Sequence, residues 1–166
     1  YPEHGVGAVR EALGAVVDML GVLHMTCVAL RPGGAVLLLQ PLMKPLNRVE
    51  LDIAACLEGL VQDLRGGVAA SRFLSAATAR RPALLQSLQL LEESFAEVVV
   101  AIIECDRLSL HDNLARGQPA VPRILHRDIL TLNTLIYSAR TLGVQVQQLD
   151  RQVNELRSMQ EPVDLR

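Results

Sequence analysis

The histidines are the first residues to examine for chemistry, because they could ligate a metal or act as a base. His4, His24, His111 and His126 lie far apart, and none has a Cys or His partner at the spacing that zinc sites use. Only His111 has a carboxylate, Asp112, beside it outside the predicted helices. The pattern predicts neither a metal site nor a catalytic histidine, and we expect a partly buried, hydrogen-bonded His24 on the first helix.

The glutamates give no better support for a carboxylate-bridged metal site. Such sites in helical bundles need inward-facing glutamates and a Glu-x-x-His turn that places two ligands on one helix face. No Glu-x-x-His occurs in the chain, and Glu93, Glu97 and Glu104 are predicted to form a solvated helix face. We therefore predict no cofactor, no metal and no enzymatic activity.

Two short stretches, one rich in glycine and one basic, are the candidates for binding an anion. The turn at Gly66–Gly67 lacks both the Gly-Lys-Ser/Thr ending and the preceding strand of a phosphate loop, so it is predicted to be a plain turn between helices. Arg80–Arg81 has no flanking aromatic residues, and the net charge of the chain is −2. These features argue against nucleic-acid binding and leave peripheral membrane contact open.

The three cysteines are Cys27, Cys56 and Cys105, an odd number spread across the chain. They are interpreted as buried thiols of an intracellular, cytoplasmic protein rather than as a secreted disulfide framework. No apolar run is long enough to cross a bilayer; the run from Met19 to Leu30 is too short. Because the sequence begins with Tyr1 rather than Met, we expect a fragment of a larger protein.

Composition sets the fold class. Half of the 166 residues are apolar but only 2% are aromatic and none is Trp, so Leu, Val, Ala and Ile must build the core. Leu and Ala are good helix formers that suit helix-on-helix packing. We predict a single all-α domain over residues 1–166, an antiparallel bundle of four long helices plus one or two short ones, with a long C-terminal helix.

Three long helices are predicted before the last one. The first runs from Pro2 to Leu30 and is apolar almost all round, which is typical of a central or interface helix. The second runs from Pro45 to Arg65, and the third opens at Pro82. A short helix or irregular segment is expected over Ala35–Met43. The segment Val68–Arg80 is expected either as a separate short helix or as a kinked lead into the third. On the second helix the outward-facing residues are expected to be Glu50, Asp52, Glu58, Gln62 and Asp63.

The last helix is predicted from Pro122 to Met159 and is expected to be the longest, at about 54 Å. Gly143 could mark a kink or an end within it. Before it, residues 108–121 are predicted to form a long polar loop, either disordered or functional. Since the other helices are expected to be shorter, the C-terminal end of the last helix should project past the bundle.

An apolar stripe on that C-terminal end is the predicted partner-binding site. Its surroundings are polar and include Arg151, Asp150, Asn154 and Arg157. Burial on a second copy or on a partner helix would cover the stripe; alternatively, the first helix and the Ala35–Met43 segment cover it. The predicted partner-binding residues are Val146, Leu149, Arg151, Val153 and Leu156.

These observations favour a non-enzymatic protein–protein interaction module, such as a scaffold, adaptor or viral structural component, that self-associates or binds a partner helix. The first helix is the second choice of binding surface. An alternative from a different class is a helical carrier or sensor whose aliphatic core encloses an apolar ligand such as a lipid. A secreted four-helix signalling ligand is disfavoured by the cysteines and by the lack of an Asn-x-Ser/Thr site.

Overall fold

The computed structural model describes residues 3–30, 39–66, 75–116 and 126–159. Four long helices and one short turn account for these ranges: α1 (Glu3–Leu30), a 3₁₀ turn (Gln40–Leu42), α2 (Met43–Gly66), α3 (Ala76–Ala115) and α4 (His126–Ser158). The described residues contain helix and no strand, so the predicted all-α helical bundle is confirmed. No helix within these ranges combines the length and the hydrophobicity needed to cross a bilayer.

The helices pack as two antiparallel pairs. Helices α2 and α3 form one pair. The end of α2 lies at the start of α3. At the other end of the pair, Leu42, which precedes α2, packs near Val98 and Ile102 of α3. Helices α1 and α4 form the other, with the C-terminal half of α1 beside the N-terminal half of α4. The pairs bury leucine, valine and alanine side chains between them, which is the favourable transfer that stabilises the bundle.

The polar side of α2 differs from the prediction at two of its five positions. Glu50, Glu58 and Gln62 are exposed, as predicted, but Asp52 and Asp63 are buried. The Asp52 carboxylate forms an ion pair with Arg48, one turn earlier, at 3.1 Å. Burying a paired carboxylate costs less free energy than burying an isolated one. The polar character of Asp52 therefore did not show whether it faces solvent or the core.

Helix α3, not the last helix, is the longest. It has 40 residues against 33 in α4, and it runs without interruption past Pro82. Pro82 therefore lies inside the helix instead of opening it. Residues 76–80 belong to the same helix, while residues 68–74 of the expected lead segment lie outside the described residues.

The predicted polar loop is largely helical. Residues 108–115 continue α3, and Arg116 N donates to the Asp112 carbonyl in one further turn. The physical reason is that this stretch is polar but contains no Pro or Gly before Gly117, so nothing in it breaks a helix. Residues 117–121 of the predicted loop lie outside the described residues.

Gly143 does not end α4, which continues to Ser158. A Cβ atom placed there would collide with a methyl group of Leu88 on α3, so the missing side chain allows α3 and α4 to approach. Nearby, Arg140 on α4 forms an ion pair with Glu92 on α3 at 3.4 Å. The glycine is thus a packing residue of a continuous helix.

Candidate interaction surface

The predicted partner-binding stripe is part of the core. Val146, Leu149, Val153 and Leu156 are all buried, with Val153 fully so, and only Arg151 is exposed. The expectation that this end of α4 lacks cover within its own domain is therefore wrong. Helices α2 and α3 pack against α4 there together with α1, so a partner could reach the stripe only after the bundle opens.

Polar contacts hold the end of α4 in place. Asp63 of α2 lies 3.3 Å from Arg157 Nη1 of α4, and both side chains are buried. Ser75 Oγ donates to Asp63 at 2.6 Å and lies 3.2 Å from Asp150. Asp63, Asp150 and Arg157 were all predicted to face solvent, and the structure corrects each of them. We call this group of polar side chains the Asp63–Asp150 cluster; its members are Asp63, Ser75, Thr78, Asp150, Asn154 and Arg157.

This cluster also begins α3. Asp63 accepts hydrogen bonds from the backbone N–H groups of Ala76 and Ala77, and Ser75 Oγ accepts one from Thr78 N at 3.2 Å. Free N–H groups at a helix start need such acceptors, and here two side chains supply them. The local sequence signal for the cap of α3 is Ser75, three residues before Thr78. The contacts of Ser75 with Asp63 and Asp150 depend on the tertiary structure.

The carboxylate of Asp150 also accepts hydrogen bonds from other members of the cluster. Thr78 Oγ1 donates to its carboxylate at 3.0 Å, and Asn154 Nδ2 donates to it at 3.0 Å. A cavity of only about 10 Å³ lies between Asp150 and Cys56. That volume holds one water at most, so a substrate has no room beside these acids. The cluster is built to hold helices together.

Cys56 lies next to the cluster and is buried. Burial raises the pKa of its thiol above the ordinary 9.0, the carboxylates of Asp150 and Asp52 raise it further, and Arg80 opposes them. The thiol is therefore protonated at neutral pH and is a poor nucleophile. Cys105, by contrast, is exposed on α3, and the side chain of Cys27 lies outside the described part of the structure.

The other residues singled out for chemistry lie apart. Glu93, Glu97 and Glu104 are exposed, as predicted, whereas His24, expected to be partly buried, is also exposed. His111 is exposed on α3, and the side chains of His4 and His126 are outside the described set. Within the described ranges no three His, Cys, Asp or Glu side chains come together as a metal site.

Helix α1 has more exposed large apolar side chains than any other described helix. Helix α1 buries Ala12 and Val16 against the bundle. Other apolar residues of the helix, including Val6, Leu13 and Leu20, are exposed. We define the α1 outer face by its exposed apolar residues, which are Val6, Leu13, Val17, Leu20, Val22, Met25 and Val28.

Three glycines run along the middle of this face. Gly7, Gly14 and Gly21 recur every seven residues, which places them in one line opposite Ala12 and Val16. A Cβ atom added at any of the three would meet nothing within 4 Å. Their lack of a side chain therefore serves no contact among the described residues. The seven-residue spacing was the sequence signal that could have identified this face.

A groove continues the α1 outer face toward α4. It has a volume of about 850 Å³ and lies between the second half of α1 and the start of α4. Val22, Met25 and Leu130 contribute its apolar lining, with Asp18 at one edge. Met25 is 66% exposed and Leu130 is 65% exposed. The open apolar surface thus spans two helices.

Comparisons with known proteins supply no function. The sequence matches no protein-family model, no curated protein and no solved structure.

Proposed function

We propose that this chain is a non-enzymatic protein–protein interaction module whose docking surface is the α1 outer face. The observation that supports the proposal is the concentration of exposed apolar side chains on one helix, with Val17 58% and Met25 66% exposed. Several exposed apolar side chains gathered on one side of a helix are typical of a surface that a partner covers. Burying the exposed part of each such side chain would contribute about 1 kcal/mol to association.

The glycines add a second reason. A glycine in the middle of a helix costs roughly 0.5–1 kcal/mol relative to alanine. Gly7, Gly14 and Gly21 carry that cost although no neighbour in the described chain needs the space. A backbone that can be approached closely by another helix is the benefit that would offset the cost.

The charges on this side of α1 favour a protein over a membrane. Arg10 is accompanied by two carboxylates, Glu11 and Asp18, and all three are exposed. Helices that lie on anionic membranes carry Lys and Arg along the polar edge of their apolar face. Helix α1 has the opposite balance, which supports a protein partner.

Val17 provides the direct test. Val17→Asp places a charge in the middle of the face and should abolish association, because docking would bury that charge. Val100→Asp is the matched control, since Val100 is 55% exposed on α3 and lies away from the face. Both variants should melt within a few degrees of wild type. The measurements are mass in solution and the set of co-purifying proteins; equal behaviour of the two variants would defeat the proposal.

A carrier of an apolar ligand is the second candidate, and the groove between α1 and α4 is the observation that favours it. Its volume of about 850 Å³ lies within the range of ligand pockets. The cavity beside Cys56 is far too small for a lipid. Native mass spectrometry of gently purified protein would detect a retained ligand, and Val22→Asp should then remove it.

A further inference from the structure

We infer that the occupant of the α1 outer face is the same face of a second copy, with the two α1 helices antiparallel and Gly14 of one against Gly14 of the other. The inference rests on the proposed function, that this face docks a protein. The partner is thus a second copy of the chain, its α1 helix is antiparallel to the first, and the two helices are centred on Gly14. Of the possible arrangements of two α1 helices, the antiparallel one brings opposite charges together.

Arg10 and Asp18 lie four residues to either side of Gly14. Both are exposed, and neither forms an ion pair among the described residues. In an antiparallel pair centred on Gly14, residues equally far from it on opposite sides lie level with each other. Arg10 of one copy therefore lies level with Asp18 of the other, and the reverse contact follows from the twofold symmetry.

A parallel pair would place like charges together. Arg10 would face Arg10, and Asp18 would face Asp18, which is unfavourable across an interface. Glu11 lies next to Arg10 in the same copy, so in the antiparallel pair each arginine has its own Glu11 and Asp18 of the other copy nearby. A guanidinium group is well suited to such a position, because it offers five donors in a fixed fork.

The antiparallel register centred on Gly14 also brings the glycines of the two copies together. Gly7 and Gly21 are each seven residues from Gly14, so Gly7 of one copy meets Gly21 of the other. No Cβ is present at these positions to keep the two backbones apart. Residues 3–25 overlap, which is an interface of roughly 34 Å along the helix. Residues 3–7 of one copy lie level with Gly21–Met25, which border the groove of the other.

A charge swap tests the pairing. Wild-type chain should sediment as a dimer in analytical ultracentrifugation. Arg10→Asp or Asp18→Arg alone should each raise the dimer dissociation constant by roughly tenfold or more, since each places like charges at both contacts. The double variant carrying both changes should return to near the wild-type value. Failure of the double variant to recover, with both single variants weakened, would overturn the register.

Cysteine cross-linking tests the orientation independently. In a Cys27→Ser, Cys105→Ser background that keeps the wild-type mass in solution, Gly14→Cys should form a disulfide-linked dimer on mild oxidation, because the symmetry brings that position against itself. Gly7→Cys and Gly21→Cys should each cross-link poorly alone and well when mixed. Strong cross-linking of Gly7→Cys with itself would indicate a parallel pair and overturn the inference.

Failure of this inference is distinguishable from failure of the proposed function. A wild-type chain that stays monomeric at every accessible concentration overturns the second copy as occupant. If Val17→Asp, but not Val100→Asp, then removes a different bound protein, the docking face stands with another partner. If neither substitution changes any association, both conclusions fall.

Discussion

At the scale of single residues, two glycines in the middle of helices meet opposite surroundings. A Cβ atom at Gly14 would point into open space, whereas one at Gly59 would lie 2.7 Å from the backbone nitrogen of Ala77 and 2.9 Å from the carbonyl carbon of Ala76. Gly59 lies where α2 meets the first turn of α3. It is required by the contact between those helices, while Gly14 is not required by the isolated fold.

The same substitution should therefore have opposite effects at the two sites. Gly14→Ala should raise the free energy of unfolding by about 0.5–1 kcal/mol, because alanine is the better helix former and nothing obstructs its methyl group. Gly59→Ala should lower it by about 1–3 kcal/mol, because the α3 backbone must move. Urea denaturation at a concentration where the chain is monomeric measures both. A stabilising Gly59→Ala would contradict the packing of α2 on α3.

At the scale of elements, α3 rather than α4 continues beyond the packed core. Among the residues of α3 whose side chains the structure describes, Ile102 is the last that is buried; Ile103 is 60% exposed and Leu108 is 70% exposed. Helix α2 begins near this level, where Leu42 packs with Val98 and Ile102. Beyond Ile102, the described side chains of α3 are exposed or only partly buried.

The end of α3 should accordingly open more easily than its middle. Short helical segments without packing are only marginally stable in water. Backbone amides of residues 106–115 should exchange with solvent at least about tenfold faster than those of residues 88–102, which lie over the core. Hydrogen-exchange mass spectrometry or NMR measures the difference. Uniform protection along α3 would show that its end is covered, contrary to the exposure of Ile103 and Leu108.

At the scale of the whole molecule, the Asp63–Asp150 cluster connects three helices at one end of the bundle. Asp63 reaches Arg157 of α4 and the first backbone amides of α3 from its position on α2. Loss of one partner of a buried ion pair leaves an uncompensated buried charge, which is strongly destabilising. The cluster therefore fixes how α2, α3 and α4 meet.

Asp63→Ala should lower the free energy of unfolding by about 3 kcal/mol or more, since it leaves Arg157 without this carboxylate and removes a cap from α3. Glu58→Ala is the control: Glu58 is on the same helix and pairs with Arg80, but its side chain is 74% exposed. Its loss should cost about 0–1 kcal/mol. Thermal or urea unfolding compares the two, and similar losses would show that the buried pair contributes no more than the surface pair.

The helical class and the positions of most helices could be predicted from local sequence patterns. Apolar spacing of three and four residues sets α1 and α2 within a few residues of their observed ends, because that periodicity follows from local geometry alone. The continuation of α3 to Ala115 was also encoded locally, in the absence of Pro and Gly, but polar composition suggested a loop.

Which helix faces are buried depends on contacts between helices, and it became evident only from the three-dimensional structure. Every long helix of the bundle has apolar residues on more than one side, so periodicity cannot say which side meets a neighbour. The stripe at Leu149 and Val153 is covered because α1, α2 and α3 converge on it, while Val17 stays open because none of the described helices passes on its side. Arg157 as a partner of Asp63, and Ser75 and Thr78 as partners of Asp150, come from distant parts of the chain, and such contacts have no signature in the local sequence.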